Sequence, residues 1–247
     1  MSSDMANRKI DRRGALALFG AAGASAMVLG ACAGSDEQNA ESPTTTRSGS
    51  SGASDSATTT SSAADFENAA SCGLTPEQSE GPYYIDVDKI RSDIREDREG
   101  VELKVAARVL DADGCTPIKD AVFEIWHCDA GGVYSGFGGN SARFLRGGQI
   151  TNADGIAEIT TVYPGWYQGR TAHIHAKVAI SNAEVLTTQF YFDDTVSDEV
   201  YAKAPYNQHS GRRTLNRSDN IYDAKTTLTL SKDGDAYIGR INLGVQR

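Results

Sequence analysis

The run from Thr171 to Ile180 constrains the fold more than any other part of the sequence. Its alternate positions are all apolar: Ala172, Ile174, Ala176, Val178 and Ile180. An alternation with period two predicts a β-strand with one buried face. His173 and His175 fall between the apolar positions, so both imidazoles point to the opposite face. Such a pair can supply half of a metal site, although histidines at this spacing also occur on solvated strands that bind no metal.

Other segments have the same character and are separated by turn sequences. The predicted strands are Glu102 to Leu110, Ala121 to His127, Ile156 to Val162, Thr171 to Ile180, Val185 to Phe192, Thr226 to Leu230 and Ala236 to Leu243. Asp-Gly turns such as Asn152-Ala-Asp-Gly155 connect several of them. Short strands with such turns predict an all-β fold, an antiparallel β-sandwich with long loops and little helix.

Two segments do not follow the strand pattern. Residues 195–223 are mostly polar loop, in which Ser197 can cap a short helix that runs to Tyr201. Val87 to Glu99 is highly charged and is predicted to form a short helix or a surface loop.

Residues 1–31 have the features of an export signal rather than of a folded domain. Arg12-Arg13 precedes an uncharged run from Gly14 to Ala31, which is typical of twin-arginine signals. Leu29-Gly30-Ala31-Cys32 resembles a lipobox, in which the cysteine is acylated and becomes the mature N-terminus. We therefore expect a lipoprotein that is exported by the twin-arginine route and held at the cell surface or envelope by a lipid on Cys32.

Residues 32–71 are predicted to be a disordered tether, and residues 72–247 a folded domain. The tether is rich in Ser, Thr, Ala and Gly, and Phe66 is its only aromatic residue. Such a composition buries too little apolar surface to fold. Removal of the signal changes the formal net charge from −9 to near −11. This charge argues against nucleic acid as a partner, because it would repel the phosphate backbone.

After the lipid-bearing Cys32, three cysteines remain, so one disulfide and one free thiol are expected outside the cytoplasm. Cys115 and Cys128 lie at opposite ends of a predicted strand, which would separate them by roughly 20 Å. Cys72 is therefore expected to pair with one of these two cysteines, and the sequence leaves open which one.

Residues near the histidine pair suggest which metal it would bind. Tyr163 lies in a Pro-Gly turn, Arg170 directly precedes the strand, and Tyr134 follows a second Gly-rich turn. Two phenolates and two imidazoles favour ferric iron over zinc or copper, because charged oxygen donors stabilise the higher oxidation state.

Several stretches together resemble the intradiol ring-cleavage dioxygenases, which include catechol, hydroxyquinol and protocatechuate dioxygenases. They are Glu124-Ile-Trp-His-Cys-Asp-Ala-Gly-Gly-Val-Tyr-Ser135, Tyr163-Pro-Gly-Trp166, Arg170-Thr-Ala-His-Ile-His175 and Thr188-Gln-Phe-Tyr-Phe192. The likeness extends over roughly Thr75 to Tyr222. It implies a β-sandwich that holds one non-haem Fe(III) ion and cleaves the ring of a catechol between its two hydroxyl-bearing carbons. Both atoms of O2 enter the muconate-type product.

The resemblance assigns roles to individual residues. Tyr134, Tyr163, His173 and His175 match the metal ligands, with Tyr163 as the tyrosine that leaves when substrate arrives. Arg170 matches the arginine that stabilises the activated substrate, and Gln189 a glutamine that lines the pocket. Tyr167 competes with Tyr163, but the Tyr-Pro pair favours Tyr163. Trp126 and Trp166 are interpreted as packing residues, and His127 and His209 as ordinary strand-end and loop histidines.

Other functions are compatible with parts of this pattern. A surface-tethered binding module could use the tyrosines to stack on aromatic or sugar ligands, and it would bind no iron tightly. A cupin-like oxygenase could use the His-x-His pair, but it would need a third histidine and a carboxylate, which Glu184 and His209 supply poorly. The sequence leaves open which catechol is cleaved, although export suggests plant-derived aromatics. It also leaves open whether the protein is a monomer or a homo-oligomer.

Overall fold

The computed structural model of the protein describes residues 60–67, 69, 72–87, 89–139 and 141–246. The strands are β1 (Glu102–Asp111), β2 (Val122–Trp126), β3 (Arg146–Ile150), β4 (Ile156–Val162), β5 (His173–Ile180), β6 (Ala183–Tyr191), β7 (Thr229–Asp233) and β8 (Ala236–Val245). The α-helix α1 spans Asp194–Tyr201. Short 3-10 helices occupy Ala63–Phe66, Tyr206–Gln208, Asn216–Ser218 and Ala224–Thr226.

The strands form two four-stranded sheets with the orders β4-β1-β8-β7 and β3-β2-β5-β6. Their apolar faces pack together in one core, to which the first sheet contributes Val105, Ile159 and Ile241 and the second contributes Phe123, Ile174 and Phe190. The predicted sandwich is confirmed. Its antiparallel character has one exception, because β1 and β8 pair in parallel. Side-chain periodicity does not specify the direction of a neighbouring strand.

Strand β3 was not predicted. Its sequence, Arg146-Gly-Gly-Gln-Ile150, has no apolar alternation. It becomes a strand because it pairs with β2, where Gly148 lies opposite Glu124. A Cβ atom on Gly148 would lie 3.1 Å from the carbonyl oxygen of Phe123, so the close approach of the two strands favours glycine.

The predicted short helix is present, but it begins earlier than expected. Helix α1 begins at Asp194, and the side chain of Asp193 caps it by accepting a hydrogen bond from the Thr195 N–H. Ser197, the predicted cap, lies inside the helix and is buried. The charged segment from Val87 to Glu99 contains no helix among its described residues.

The outer face of the second sheet carries a row of buried polar and aromatic side chains. Arg146, Trp126, His175 and Gln189 lie directly opposite one another on β3, β2, β5 and β6, and we call them the transverse row. None is more than 1% exposed. The segment 76–87 shields this face, for example through the hydrogen bond from the Gln78 N–H to the Thr187 carbonyl (2.8 Å). The row therefore forms a second buried layer outside the apolar core.

Residues of the predicted tether pack against the first sheet. Phe66 is 1% exposed and packs against Ala106 and Ile156. The Ser61 N–H donates to a carboxylate oxygen of Glu158 (2.8 Å). The single aromatic side chain of the predicted tether anchors these residues. The predicted signal and the tether up to residue 59 lie outside the described residues.

Cys72 pairs with Cys115, and Cys128 is a buried free thiol. This settles the choice that the sequence left open. The disulfide joins the segment before β1 to the turn that follows it. Among the described residues, no helix has the length and apolar character needed to span a membrane.

We expect the replacement of Cys115 by Ala to lower the free energy of unfolding by about 2–4 kcal/mol, since the disulfide closes a loop of 43 residues. Urea denaturation followed by tryptophan fluorescence measures the change. Cys72→Ala should give the same loss, and the double variant should lose no more than either single one. In the unfolded but unreduced wild-type domain, only Cys128 should react with an alkylating reagent. Alkylation of Cys72 and Cys115 as well would contradict the pairing.

Candidate active site

The two histidines of β5 lie side by side on the outer face of the second sheet. His173 and His175 are 2% and 1% exposed, while Ile174 between them packs in the core. Their ring centroids are 4.9 Å apart. The expectation that both imidazoles emerge opposite the apolar row is confirmed.

Two tyrosine hydroxyls reach the same ring nitrogen. The Tyr134 Oη lies 3.5 Å and the Tyr167 Oη 3.2 Å from Nε2 of His173. Nδ1 of His173 is 2.7 Å from the carbonyl oxygen of Thr171. A carbonyl can only accept, so Nδ1 carries the proton and Nε2 presents its lone pair towards the phenols.

Tyr134 is brought to this position by a tight turn. The Asp129 side chain accepts hydrogen bonds from the N–H groups of Gly131 and Val133. Gly132 has φ +80° in this turn, and a Cβ atom there would collide with the Trp166 carbonyl oxygen. The turn therefore requires glycine at this position.

Tyr163 does not lie in this cluster, and its predicted placement beside the histidines is wrong. Its side chain is 0% exposed within the apolar core, where its hydroxyl is 2.8 Å from the Ser197 Oγ. Tyr163 directly follows β4, and it continues the inward face of Ala157 and Ile159. Tyr167, the weaker alternative at the sequence level, takes the place expected for Tyr163.

The donor set fits a metal ion. Donor atoms that are about 2.0–2.1 Å from one ion lie roughly 2.9–3.4 Å apart when they are neighbours around it. The distances from His173 Nε2 to the two phenol oxygens are close to this range. In addition, Nδ1 of the buried His175 has no hydrogen-bond partner among the described residues. A buried polar nitrogen without a partner is costly, and a bound ion next to it would remove that cost.

Carboxylates and cysteines do not contribute to this donor set. In the part of the chain that the structure describes, no group of three or more His, Cys, Asp or Glu side chains could hold a metal ion. The donors that accompany the histidines are phenols, which become anionic ligands once they lose their protons. This set suits ferric iron better than a divalent ion.

Burial keeps the histidines neutral. It lowers the pKa of His173 to about 3, and the nearby Arg170 cation acts in the same direction. Burial also places the pKa of His175 well below its ordinary value, with further contributions from His173 and Arg170. Neutral imidazole is the form that binds metals, so these nitrogens need not lose a proton first.

The phenols are also uncharged. Burial raises the pKa of Tyr134 well above its ordinary value, and Tyr167 adds to this shift. Burial likewise raises the pKa of Tyr167, although the Arg170 cation opposes the change. Ionisation of these tyrosines therefore requires a nearby positive charge, such as that of a metal ion.

Arg170 and Gln189 join the cluster as predicted. The Arg170 Nη2 donates to the Gln189 Oε1 (2.5 Å), and the Gln189 Nε2 donates to the Ser79 carbonyl (2.8 Å). Gln189 lies opposite His175 across the β5–β6 pair. The predicted neighbourhood of these two strands therefore brings glutamine, arginine and histidine to one place.

An aromatic-walled cleft of about 300 Å³ opens beside the cluster. It is lined by Tyr83, Gly132, Val133, Tyr134, Phe137, Gly138 and Tyr167. The Tyr83 ring stacks on Tyr134 with centroids 4.4 Å apart. A flat aromatic ligand can pack among such rings.

Trp126 packs directly on the histidine pair, because its ring stacks on His175 with centroids 5.0 Å apart and an angle of 8°. Trp166 packs instead on the loop residue His209. His127 is buried between the Thr161 hydroxyl and the Cys128 carbonyl, which agrees with its interpretation as a structural residue.

One contributor to the site was not found from the sequence: Asp219, which contacts Arg170, was not singled out. No local signal marks Asp219, because it lies in a polar loop 49 positions from Arg170. The position of Tyr163 in the core could have been predicted, because the inward-facing positions of β4 continue to this residue.

We expect His173 to remain neutral in the iron-free protein when the pH is lowered from 7 to 5. Histidine-selective ¹⁵N–¹H correlation spectra would show an Nδ1–H tautomer throughout, whereas a peptide of residues 170–177 should titrate near pH 6.5. Because the folded pKa lies below the unfolded value, stability is complete above pH 6.5. It falls by about 1.4 kcal/mol per pH unit for this histidine as the pH drops towards 3. A midpoint near pH 6 in the folded protein would contradict the burial argument.

Comparison with known proteins identifies a family for this chain. The dioxygenase family (Dioxygenase_C) matches residues 76–226. An intradiol ring-cleavage dioxygenase from Tetranychus urticae is 37% identical, with a TM-score of 0.69; the match covers 71% of this chain and 95% of that one. The dioxygenase domain of a dioxygenase–carbohydrate-binding fusion from the cellulolytic bacterium Streptomyces sp. SirexAA-E is 29% identical, with a TM-score of 0.57 and coverages of 70% and 98%.

Among curated relatives, catechol 1,2-dioxygenase 1 of Acinetobacter lwoffii is 32% identical over 196 residues, which are 64% of this chain and 62% of that protein. The chlorocatechol 1,2-dioxygenase of Cupriavidus pinatubonensis is 28% identical over 51% of this chain and 58% of its own length. This chain thus spans about six tenths of the length of these relatives. The family match over more than half of the chain, together with the shared fold, shows that the chain belongs to the intradiol ring-cleavage dioxygenases.

Proposed function

We propose that this protein is a non-haem ferric dioxygenase that opens the ring of a catechol-type substrate between its two hydroxyl-bearing carbons. One catechol and one O2 give one muconate-type diacid, so that a carbon–carbon bond is broken and both oxygen atoms enter the product. The observation that carries this proposal is the convergence of Tyr134 and Tyr167 on Nε2 of His173, next to His175. The similarity to relatives named catechol 1,2-dioxygenase supports a catechol as the class of substrate.

In this proposal the metal ligands are Tyr134, Tyr167, His173 and His175. A bound ferric ion would act as a Lewis acid that draws electron density from a coordinated catecholate and prepares the ring for reaction with O2. The chain supplies the remaining functions, which are to bind and orient the substrate, to limit access of water and to accept protons.

The two tyrosines differ in how readily they could leave the metal. Tyr134 is 4% exposed, follows a turn fixed by Asp129, and is covered by the stacked ring of Tyr83. Tyr167 is half-buried in the loop between β4 and β5 and is followed by the exposed residues Gln168 and Gly169. We assign to Tyr167 the role of the ligand that the substrate displaces. Its released Oη would then accept one substrate proton.

Arg170 would stabilise negative charge on the bound ring. Burial opposes its charge, but the hydrogen bond and the charge of Asp219 outweigh burial, so the pKa of Arg170 lies above its ordinary value. A permanent cation next to the reacting ring acts before and during the reaction without reorganisation. Gln189 accepts a hydrogen bond from a second nitrogen of the guanidinium, Nη2.

The ligand set can be tested on the full chain loaded with ferric iron. Wild type should show a visible tyrosinate-to-iron charge-transfer band that shifts when catechol is added anaerobically. Tyr167→Phe should alter the band and lower catechol turnover by about 100-fold or more, because a ligand and proton acceptor are lost. Tyr134→Phe should lose most of the band and the turnover.

Tyr163→Phe is the matched control. It should keep the band and the turnover, and it should lose only about 1 kcal/mol of stability with the hydrogen bond to Ser197. Loss of the band in Tyr163→Phe, with retention in Tyr167→Phe, would reverse the assignment. A protein that binds no ferric iron but still binds aromatic compounds would instead support the non-catalytic binding module.

We further propose that the protein is exported and anchored to the cell envelope through a lipid on Cys32. The support is in the sequence, where Arg12-Arg13, an uncharged run and a lipobox-like stretch follow one another. An enzyme at this location would meet catechols outside the cytoplasm.

We expect the wild-type chain to partition into the membrane fraction, and Cys32→Ala to abolish lipid labelling and release the protein. Replacement of Arg12 and Arg13 by Lys should block export and leave the precursor inside the cell. Unchanged membrane association and lipid labelling in Cys32→Ala would contradict the anchor.

A further inference from the structure

We propose that Asp219 is a positioning residue, which fixes the Arg170 guanidinium and the peptide that orients His173. This inference rests on the proposed dioxygenase function, because it concerns how that site is held in a productive geometry. Asp219 follows the short 3-10 helix Asn216–Ser218 and is 7% exposed.

The Asp219 carboxylate accepts three hydrogen bonds from N–H donors. Its Oδ2 accepts from Nε of Arg170 and from the backbone N–H of Thr171, both at 2.9 Å. Its Oδ1 accepts from the backbone N–H of Ile221 at 2.9 Å. Both oxygens are held, so the carboxylate has a fixed orientation when it meets the guanidinium.

The carboxylate stays ionised despite its burial. Burial alone would raise the pKa of Asp219, but the N–H groups of Ile221 and Thr171 and the Arg170 cation outweigh it and hold the pKa below its ordinary value. The pair is therefore a charged hydrogen-bonded contact, stronger than a neutral one.

Arg170 is held through two of its side-chain nitrogens. Asp219 contacts Nε, and Gln189 contacts Nη2. The preceding residues Gln168 and Gly169 are exposed, and a Cβ atom added to Gly169 would meet nothing within 4 Å among the described residues. The backbone before Arg170 thus offers few contacts, and the side-chain contacts must restrict the rotamers of this long side chain.

The same carboxylate also acts on the ligand side. The Thr171 N–H donates to Asp219, and the Thr171 carbonyl accepts the hydrogen bond from Nδ1 of His173 at 2.7 Å. Thr171 thus connects Asp219 to the imidazole whose Nε2 faces Tyr134 and Tyr167. Outer contacts of this kind set the tautomer and orientation of metal-binding histidines.

Loss of this contact should affect the reaction more than the binding of substrate. A misplacement of about 1 Å in a catalytic group can cost roughly 100-fold in rate. Asp219→Asn keeps the shape of the side chain but removes its negative charge, so the Arg170 guanidinium is held less tightly. We expect kcat for catechol to fall by about 10- to 100-fold. The dissociation constant for catechol in anaerobic spectral titrations should stay within about threefold, since direct contacts of the substrate are retained.

The control variant is Asp194→Asn. Asp194 also accepts from an arginine, Arg213 (2.6 Å), and from a backbone N–H, that of Asn216 (3.2 Å). It contacts neither Arg170 nor Gln189. Iron content should be unchanged in both variants. The visible band of the resting protein should shift in Asp219→Asn, because the peptide that orients His173 is held less firmly, and it should be unchanged in Asp194→Asn. Only Asp219→Asn should lower kcat.

A double-mutant cycle separates positioning from a general structural role. If Asp219 acts through Arg170, then Asp219→Asn should cost less than about twofold in kcat when it is introduced into Arg170→Ala. A second measurement is hydrogen exchange of the Arg170 Nε–H, which should be protected in wild type and lose protection in Asp219→Asn.

The outcomes are distinguishable. If wild type turns over catechol but the losses in the double variant multiply, or if kcat is unchanged in Asp219→Asn, the inference about Asp219 is overturned and the proposed function stands. If iron-loaded wild type turns over no catechol, the proposed function fails, and the inference fails with it.

Discussion

The pleat of strand β5 is the constraint on which the candidate site depends. Because successive side chains point to opposite faces, the burial of Ile174 and Ala176 in the core places His173 and His175 together on the outer face. A helix or a loop would need separate contacts to hold two imidazoles in this way. The energy of the apolar core therefore also fixes the geometry of the nitrogen donors.

The outer face of the second sheet has a second requirement, since it is buried without being apolar. The transverse row places Arg146, Trp126, His175 and Gln189 under the segment 76–87. Nitrogen atoms of three of these side chains lack hydrogen-bond partners within the described part of the chain. In an ordinary core such atoms would destabilise the folded protein. Here the Trp126 ring stacks on His175, and Arg146 Cζ lies 5.8 Å from the centroid of the Tyr134 ring. Because these groups are buried away from water, electrostatic interactions between them are stronger than at the surface.

Charge in this site is nearly balanced in the absence of a metal ion. The imidazoles are neutral, the phenols keep their protons, and Arg170 is balanced by Asp219. The same arrangement responds strongly to a cation, because a positive charge lowers the pKa of both tyrosines and creates two anionic donors. Binding of ferric iron and ionisation of the phenols are thus expected to occur together.

The sequence by itself determined most of the sandwich, the pairing of His173 with His175 on one face, and the placement of Gln189, because these follow from the period-two repeat of strands. It did not reveal strand β3, whose glycines form a strand only because β2 lies beside them. It also misplaced Tyr163, although the inward alternation of β4 pointed to the core. The tertiary structure alone decided that Tyr167 meets His173, that Tyr83 covers Tyr134, and that Asp219 holds Arg170 from 49 positions away. Loops have no periodicity that fixes the direction of their side chains, so contacts between distant loops are set only when the two sheets and their connections pack together.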